Sequence, residues 1–600
     1  MNKVMICKAA LYVAAFICVL VSQAVVYGQQ ASPGAQDYYQ TGLDLATKKK
    51  FAEAYDAFRR SERLAPERSD IQHSIGLALL SLRKPSDALL AFRKAVSLSP
   101  SDGKYRTSLC VALSELKLHN EAIKECEEGA RLSPDSDDAQ VALFVAMRRA
   151  GRPTESLLRV IDLAVGKFRD SVLLLQLAAE YYAQVGNPTY AAELYERLVR
   201  IDPSSSVFHG RLAYMYMRLE RDENALASAR RSLQLAPDNP FANYAMGRLF
   251  FELGQHDESS AAFKRASQTD FLLAGENILS DADFYRAVSE HHLGRTAEAI
   301  SLLRGLTERF PDNYEYYKQL GDFLNDDAKY SEAIVPLRTA LGLNPKHFQT
   351  LAGLGLALFE SARFDEGISV LEEADRLYPG NGTIAMFLRV ARNRKQNTAR
   401  IPEMLDFAER NPKDLNVRLS LASSLTFAGR AAEAEKYVSE IWAMNPKDIN
   451  VYSGIATDYS TAGLYDKALV VYRRSLELEE NPTAYLGMAA ILEKRGERDE
   501  AARMYEKVIQ LKPHSPNVMK LYADLLRDSG KRREALEMYK RSLAIQPVIN
   551  SAPAATFNAG LLSAKLGEMD AARQYLETLR SLDPFSAKTL QRCIRLNIWR

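Results

Sequence analysis

The chain has 600 residues, of which 47% are hydrophobic and 26% charged, with a formal net charge of only +2. That balance suits a folded chain and excludes recruitment to nucleic acid or to an anionic membrane surface by net charge. Glycine and proline are spread evenly and no long linker breaks the apolar pattern, which favours one extended array over several globular domains.

Residues 1–28 differ from everything after them. Lys3 and Lys8 precede an uncharged stretch from Ala9 to Val26, the shape of a secretory signal. Small residues permit cleavage after Ala24 or after Gly28, and the second site, directly before the polar run at Gln29, is preferred. The alternative is an uncleaved anchor, because the stretch is just long enough to span a bilayer. Cys18 has no small residue before it, which argues against lipidation. Residues 29–34 read as a linker. The expected location is therefore periplasmic or extracellular, either free or held at the membrane by the first helix. Without the signal, Cys110, Cys126 and Cys593 remain, too few for a disulfide framework. A facing pair in an exported chain could still oxidise.

From about residue 35 the sequence repeats. Proline recurs every thirty-four residues at Pro66, Pro100 and Pro134, at Pro203 and Pro237, and at Pro311, Pro345 and Pro379. Pro412, Pro446, Pro513, Pro547 and Pro584 follow with small changes of length. With proline as position 32, position 20 is Ala54, Ala88, Ala122, Ala191, Ala225, Ala299 and Ala333, then Ala434, Ala468, Ala501, Ala535 and Ala572. Ser156, Ser259 and Gly367 fill it in three further units. Position 8 is equally small, with Gly42, Gly76, Gly247, Gly321, Gly355 and Gly560, or with alanine. Two small positions twelve residues apart mark two antiparallel helices whose backbones approach closely. Position 24 supplies a ring, as in Phe58, Phe92, Tyr195, Phe263, Tyr472, Tyr505 and Tyr539, large enough to fill the space between one hairpin and the next. Proline at position 32 ends the second helix because it has no donor to continue it.

Small residues at 8 and 20, an aromatic at 24, proline at 32 and a period of thirty-four resemble the tetratricopeptide repeat family over about residues 35–586. Gly76, Ala88, Phe92, Ala95 and Pro100 match its pattern without a gap, whereas tryptophan is absent from position 4 and Tyr38, Tyr317, Tyr452 or Tyr485 stands there in some units. The resemblance implies an all-α, right-handed superhelical solenoid of about sixteen hairpins, and with the signal it implies an exported bacterial member. One hairpin cannot bury its own apolar face, so the stack needs a soluble end. Residues 587–600 are expected to form that capping helix, with Ser586 as N-cap, Leu590, Cys593 and Ile594 as the apolar stripe, and Arg592 and Arg595 toward solvent.

Two places break the pattern. Ala274–Leu279 add about six residues to the register. In the unit at 381–414, Arg389 and Arg400 occupy the positions that elsewhere are small, so a normal crossing is excluded in that register. Shifted or splayed helices there would divide a stack at 35–380 from a second at 415–586, with 381–414 as a degenerate repeat and hinge. Arg389, Arg392, Arg394, Lys395 and Arg400 also form an acid-free basic run, which suits either an anionic partner or a solvated helix face.

Catalytic signatures are missing from the sequence: it has no phosphate-cradling loop, no His-Glu-x-x-His and no Cys-x-x-Cys. Gly353-Leu354-Gly355 is read as helix packing and not as a dinucleotide loop. His291 and His292 are adjacent, point apart on a helix and read as surface residues. Cys110 and Cys126 hold positions 8 and 24 of one hairpin, where a disulfide is geometrically conceivable and buried free thiols are the commoner arrangement. No cofactor, metal or small-molecule substrate is expected.

In the family that the chain resembles, partners contact positions 2, 5, 9, 12 and 13 of each first helix. Carried onto this sequence, the rule selects an aromatic groove with arginines between the rings: Tyr214, Arg218, Phe241, Tyr244, Arg248, Phe251 and Phe284, beside Gln176, Glu180, Gln184 and Met217. A one-residue error of register would turn some of these into core. The carboxylate clamp of chaperone-docking relatives is not expected, because Lys318 is followed by Asp322 and Lys520 by Asp524 where asparagine is needed. The reading is a non-catalytic scaffold of the cell envelope that binds a peptide or a partner's helix. The alternative is a regulatory or recruiting subunit of an envelope enzyme complex, such as one for polysaccharide export or glycosyl transfer.

Overall fold

The computed structural model describes residues 33–268, 278–545 and 552–596. The signal expected at 1–28 and most of the insertion at Ala274–Leu279 lie outside them. Among the described residues there are thirty-three helices and no strand, arranged as sixteen antiparallel hairpins and a closing helix, Pro584–Leu596. None of these helices is long and apolar enough to cross a membrane. The chain forms two compact units that meet in sequence between Ala242 and Asn243, inside the helix Pro240–Glu252.

Each hairpin is built by the same local physics. Helices Ser69–Ser81 and Pro85–Leu98 are typical. The first ends at Arg83, whose φ of 58° is the left-handed step that turns the chain back. Pro85 then opens the second helix, where its missing N–H would have had no partner. Two residues beyond many of the repeat prolines stands a capping side chain. Asp102 accepts from the Lys104 N–H at 2.9 Å, and Ser136, Ser205, Asn313, Asp414 and Asp448 serve likewise. The repeat therefore encodes both the end of one hairpin and the start of the next.

Position 8 faces position 24. A Cβ on Gly76 would lie 2.5 Å from the Phe92 ring, and one on Gly42 would lie 2.4 Å from Phe58. These contacts account for the small residue in the first helix and the plug in the second. Burying a ring such as Phe92 stabilises the hairpin by about 2–3 kcal/mol. Hairpin 103–132 solves the same problem differently: Cys110 and Cys126 are disulfide-bonded, Cα to Cα 5.3 Å. The commoner arrangement, two free thiols, is not adopted. A covalent link stands where the two preceding hairpins have glycine and a ring.

The unit at 381–414 lies within the second compact unit. Its first helix runs long, Gly382–Ala399, and its second is short, Ile401–Arg410. Ile384, Leu388 and Ala391 are the buried residues, so the helix is turned to leave Arg389 and Arg400 in solvent. Arg394 points inward instead. Its guanidinium pairs with Glu360 and sits 4.1 Å over the Phe427 ring, joining the preceding repeat to the following one.

The closing helix begins earlier than expected. Asp583, not Ser586, is the cap: it accepts from the Phe585 and Ser586 N–H groups at 3.1 and 3.2 Å, while Ser586 lies inside the helix and donates its hydroxyl to the same carboxylate. Pro584 sets this register, because proline suits the first helical position. Leu590, Cys593 and Leu596 are buried, whereas Ile594 is half-buried. Arg592 also departs from its solvent-facing assignment and pairs with Glu252 at 3.1 Å.

Candidate interaction surfaces

Within each unit the first helices of neighbouring hairpins pack on one another, as 103–115 does on 137–149 and 415–427 on 449–461, and no comparable packing joins the second helices. The first helices therefore line the inside of the curve.

In the first unit, position 9 carries Leu43, Leu77, Val111 and Val145 in successive hairpins, all half-buried. This aliphatic strip then gives way to polar and aromatic side chains. Gln176 donates to Glu180 at 3.0 Å, and Arg211 reaches Glu180 at 3.2 Å while lying 4.7 Å over the Phe241 ring. Tyr214 is half-buried, 5.8 Å from Phe241, and Met217 is half-buried beside it in sequence space. Arg218 is exposed and donates to the Ala183 carbonyl at 3.0 Å. Phe241 itself is only 2% exposed.

The second unit begins with a comparable group. Tyr244 is 4% exposed and packs 5.7 Å from Phe263. Arg248 lies 4.2 Å over Tyr285 and 3.1 Å from Glu252. Phe251 meets the same tyrosine at 5.2 Å, and Phe284 stands 5.5 Å from Tyr316. Five of the seven residues singled out from the sequence thus keep accessible surface, whereas Phe241 and Tyr244 are buried. Tyr285 was missed. It occupies position 6, outside the contact positions of the family rule, yet it is the ring on which Arg248 and Phe251 both rest.

Other expectations meet their geometry here. Lys318 pairs with Asp322 at 3.3 Å and Lys520 with Asp524 at 2.7 Å, so each acid neutralises the lysine that a carboxylate clamp would need. The basic run is answered by acids from flanking helices: Arg392 meets Glu372 at 2.8 Å, Lys395 meets Asp365, and Arg400 meets Glu403 at 3.7 Å. With Arg394 on Glu360, four of its five cations are paired within the protein. His291 is not a plain surface residue, because its ring stacks on Phe323 at 3.9 Å and its Nε2 lies 3.1 Å from Asp326. His292 is exposed by area and stacks on His256 at 4.4 Å.

The second unit also closes on itself. Hairpin turns from its two ends meet along a seam that joins residues far apart in the chain. Lys565 pairs with Glu258 at 2.7 Å, and Arg532 lies 3.6 Å from the same carboxylate. Arg498 donates to the Leu293 carbonyl at 2.5 Å, and Lys494 to the Asp326 carbonyl at 3.2 Å. Beside Arg592 and Glu252, the Cys593 thiol reaches the Leu253 carbonyl at 3.9 Å. Burial pushes that thiol up to about 12, so it is inert at neutral pH. Lys494 and Lys565 hold positions 13 of their hairpins. In this unit, positions that can face a ligand are used to bind the chain's own other end.

Repeated hairpins with inward-facing first helices define a helical-repeat scaffold. Tetratricopeptide repeat family models match residues 39–103, 177–240, 244–314, 321–382 and 522–587, and a second such model matches 480–547, together more than half of the chain. The chain belongs to the tetratricopeptide repeat family, and it is a scaffold for protein–protein interaction. It is 25% identical over 237 residues to the TPR repeat-containing protein MJ1428 of Methanocaldococcus jannaschii, an alignment covering 36% of this chain and 40% of that protein. It is 22% identical over 312 residues to the BBSome complex member bbs-4 of Caenorhabditis elegans, covering 51% and 64% respectively. The chain thus spans less than two thirds of either relative. Among solved structures it resembles that of the APC/C hetero-tetramer Cut9-Hcn1, at 12% identity and a TM-score of 0.37, with 87% of this chain and 96% of that one covered.

Proposed function

We propose that the chain is an exported, non-catalytic scaffold that captures a peptide or a helix of a partner protein on the inner face of its first unit. The observation that carries this reading is the half-buried strip of Leu43, Leu77, Val111 and Val145, one residue per hairpin at the same level, leading toward Tyr214, Met217 and Arg218. A partner with apolar residues at a regular spacing would bury that strip, and Tyr214 and Arg218 would add the ring and the guanidinium that interface hot spots favour. In the second unit Arg248, Phe251 and Phe284 form a smaller group of the same composition. Export is supported by the signal-like start and by the Cys110–Cys126 bond, since disulfides persist in oxidising compartments.

The test uses the full mature chain as bait in an envelope extract, against Leu77→Asp with Val111→Asp and against Tyr214→Ala with Arg218→Ala. Each pair should reduce capture of the partner at least tenfold with the melting curve kept. Undiminished capture by both pairs would remove the first unit's inner face from the account.

A further inference from the structure

The seam of the second unit holds a group that its ion pairs do not explain. His256 opens the helix His256–Ser267, and its ring is stacked on His292 at 4.4 Å with Phe251 at 5.8 Å. Its Nδ1 is buried without a hydrogen-bond partner, and so are both side-chain polar atoms of Gln255, which is itself only 2% exposed. Every element packed around this ring brings charge. Its own helix brings Asp257 and Glu258, and the preceding helix brings Arg248 and Glu252. The next first helix brings Glu290, His291 and His292, followed by Arg295, which pairs with Glu290 at 2.9 Å and Asp257 at 3.3 Å. Across the seam stand Arg498, Arg527 with Asp524 and Asp528, Arg532, Lys565 and Arg592. The carboxylates among them are already held by these cations, so a proton added to His256 would meet cations and a second imidazole and no unpaired carboxylate.

We propose that the seam is an acid-released latch, in which protonation of the stacked His256 and His292 pair parts the C-terminal hairpins from the hairpins at 243–309. The closed seam at neutral pH occupies position 13 of several hairpins, and its release would uncover Lys494, Lys565 and the Glu258 carboxylate together. The sign follows from the surroundings. Burial first, then His292 and Arg527, push His256 down to about 3 in the closed state, and burial and His291 lower His292. An imidazole freed into water titrates near 6.5, so the open state binds more protons between the two values and is favoured as the pH falls below about 6.5. At pH 5 this linkage amounts to about a 30-fold shift toward opening for His256 alone.

The experiment is hydrogen exchange on the full chain at pH 7.5 and 5.0, corrected for intrinsic rates, read at amides 253–258 and 290–296. Exchange there is expected to rise at least tenfold at the lower pH, while helix 85–98 of the first unit stays unchanged. His256→Phe with His292→Phe should keep the seam protected at both values. Lys565→Met should loosen it already at pH 7.5, which confirms that the readout reports the seam. Unchanged wild-type protection at pH 5.0 overturns the latch, as does a histidine-free variant that opens with the same pH dependence. If that variant does not fold by circular dichroism, the wild-type profile from pH 7.5 to 4.5 decides alone: the latch predicts exchange that rises steadily as the pH falls below about 6.5, and a flat profile down to 4.5 overturns it.

Discussion

Lys565 Nζ lies 2.7 Å from Glu258 Oε1, although 307 residues of chain separate them. The lysine side chain is 10% exposed and the carboxylate 28%, so solvent screens the pair only partly. Burial would raise the Glu258 pKa, but Lys565 and its neighbours outweigh that and hold it low. Lys565→Met should therefore destabilise the second unit by about 1–3 kcal/mol in urea unfolding. Lys565→Glu should cost more, and adding Glu258→Lys should recover part of the loss. A single substitution without effect would mean that the seam contributes nothing to stability.

The small residue at position 8 can be tested against a glycine of the same chain. Gly76→Ala drives a methyl group to 2.5 Å from the fully buried Phe92 ring and should cost about 1–3 kcal/mol. Gly305→Ala meets nothing within 4 Å, lies inside the helix Thr296–Arg309, and should stabilise by about 0.5–1 kcal/mol. Opposite shifts in thermal melting are the expected outcome.

Two arginines of one basic run should behave differently. Arg394→Ala leaves the buried Glu360 carboxylate without its ion pair and Phe427 without its cover, and should cost about 2–4 kcal/mol. Arg389→Ala removes an exposed side chain and should stay within about 0.5 kcal/mol. Denaturation midpoints of the two variants check this directly.

Cys110 and Cys126 close a short loop, at a sequence separation of 16. Reduction, or Cys110→Ser with Cys126→Ser, should lower the stability of the first unit by about 3 kcal/mol. Alkylation of the unreduced, denatured chain should label Cys593 and spare these two.

The period, the small positions and the plugs were legible because one physical requirement, a close helix crossing, repeats in most hairpins. Gly76 with Ala88 could be read off the spacing alone, whereas the seat of Phe92 against Gly76 came from the structure. The caps two residues after the prolines, such as Asp102 and Ser136, emerge only in the structure. What could not be read was whatever depends on residues hundreds of positions apart. Arg592 looked like a solvent-facing residue because its helical stripe says nothing about Glu252, and nothing local marks His256 as a seam residue. Phe241 and Tyr244 fall at contact positions by the family rule, yet they are covered, because position in the repeat fixes the helix face and not the depth to which neighbouring hairpins bury it.

The central claim is that partners meet the inner face of the first unit. A photo-crosslinking residue placed at Met217, at Val111 and, as an outer control, at the 71% exposed Leu163 tests it in one experiment. Irradiation of the full chain in its native extract should give one discrete crosslinked protein from Met217 and Val111 and none from Leu163. Equal yields from the outer position, or no product from the two inner ones, would contradict the account.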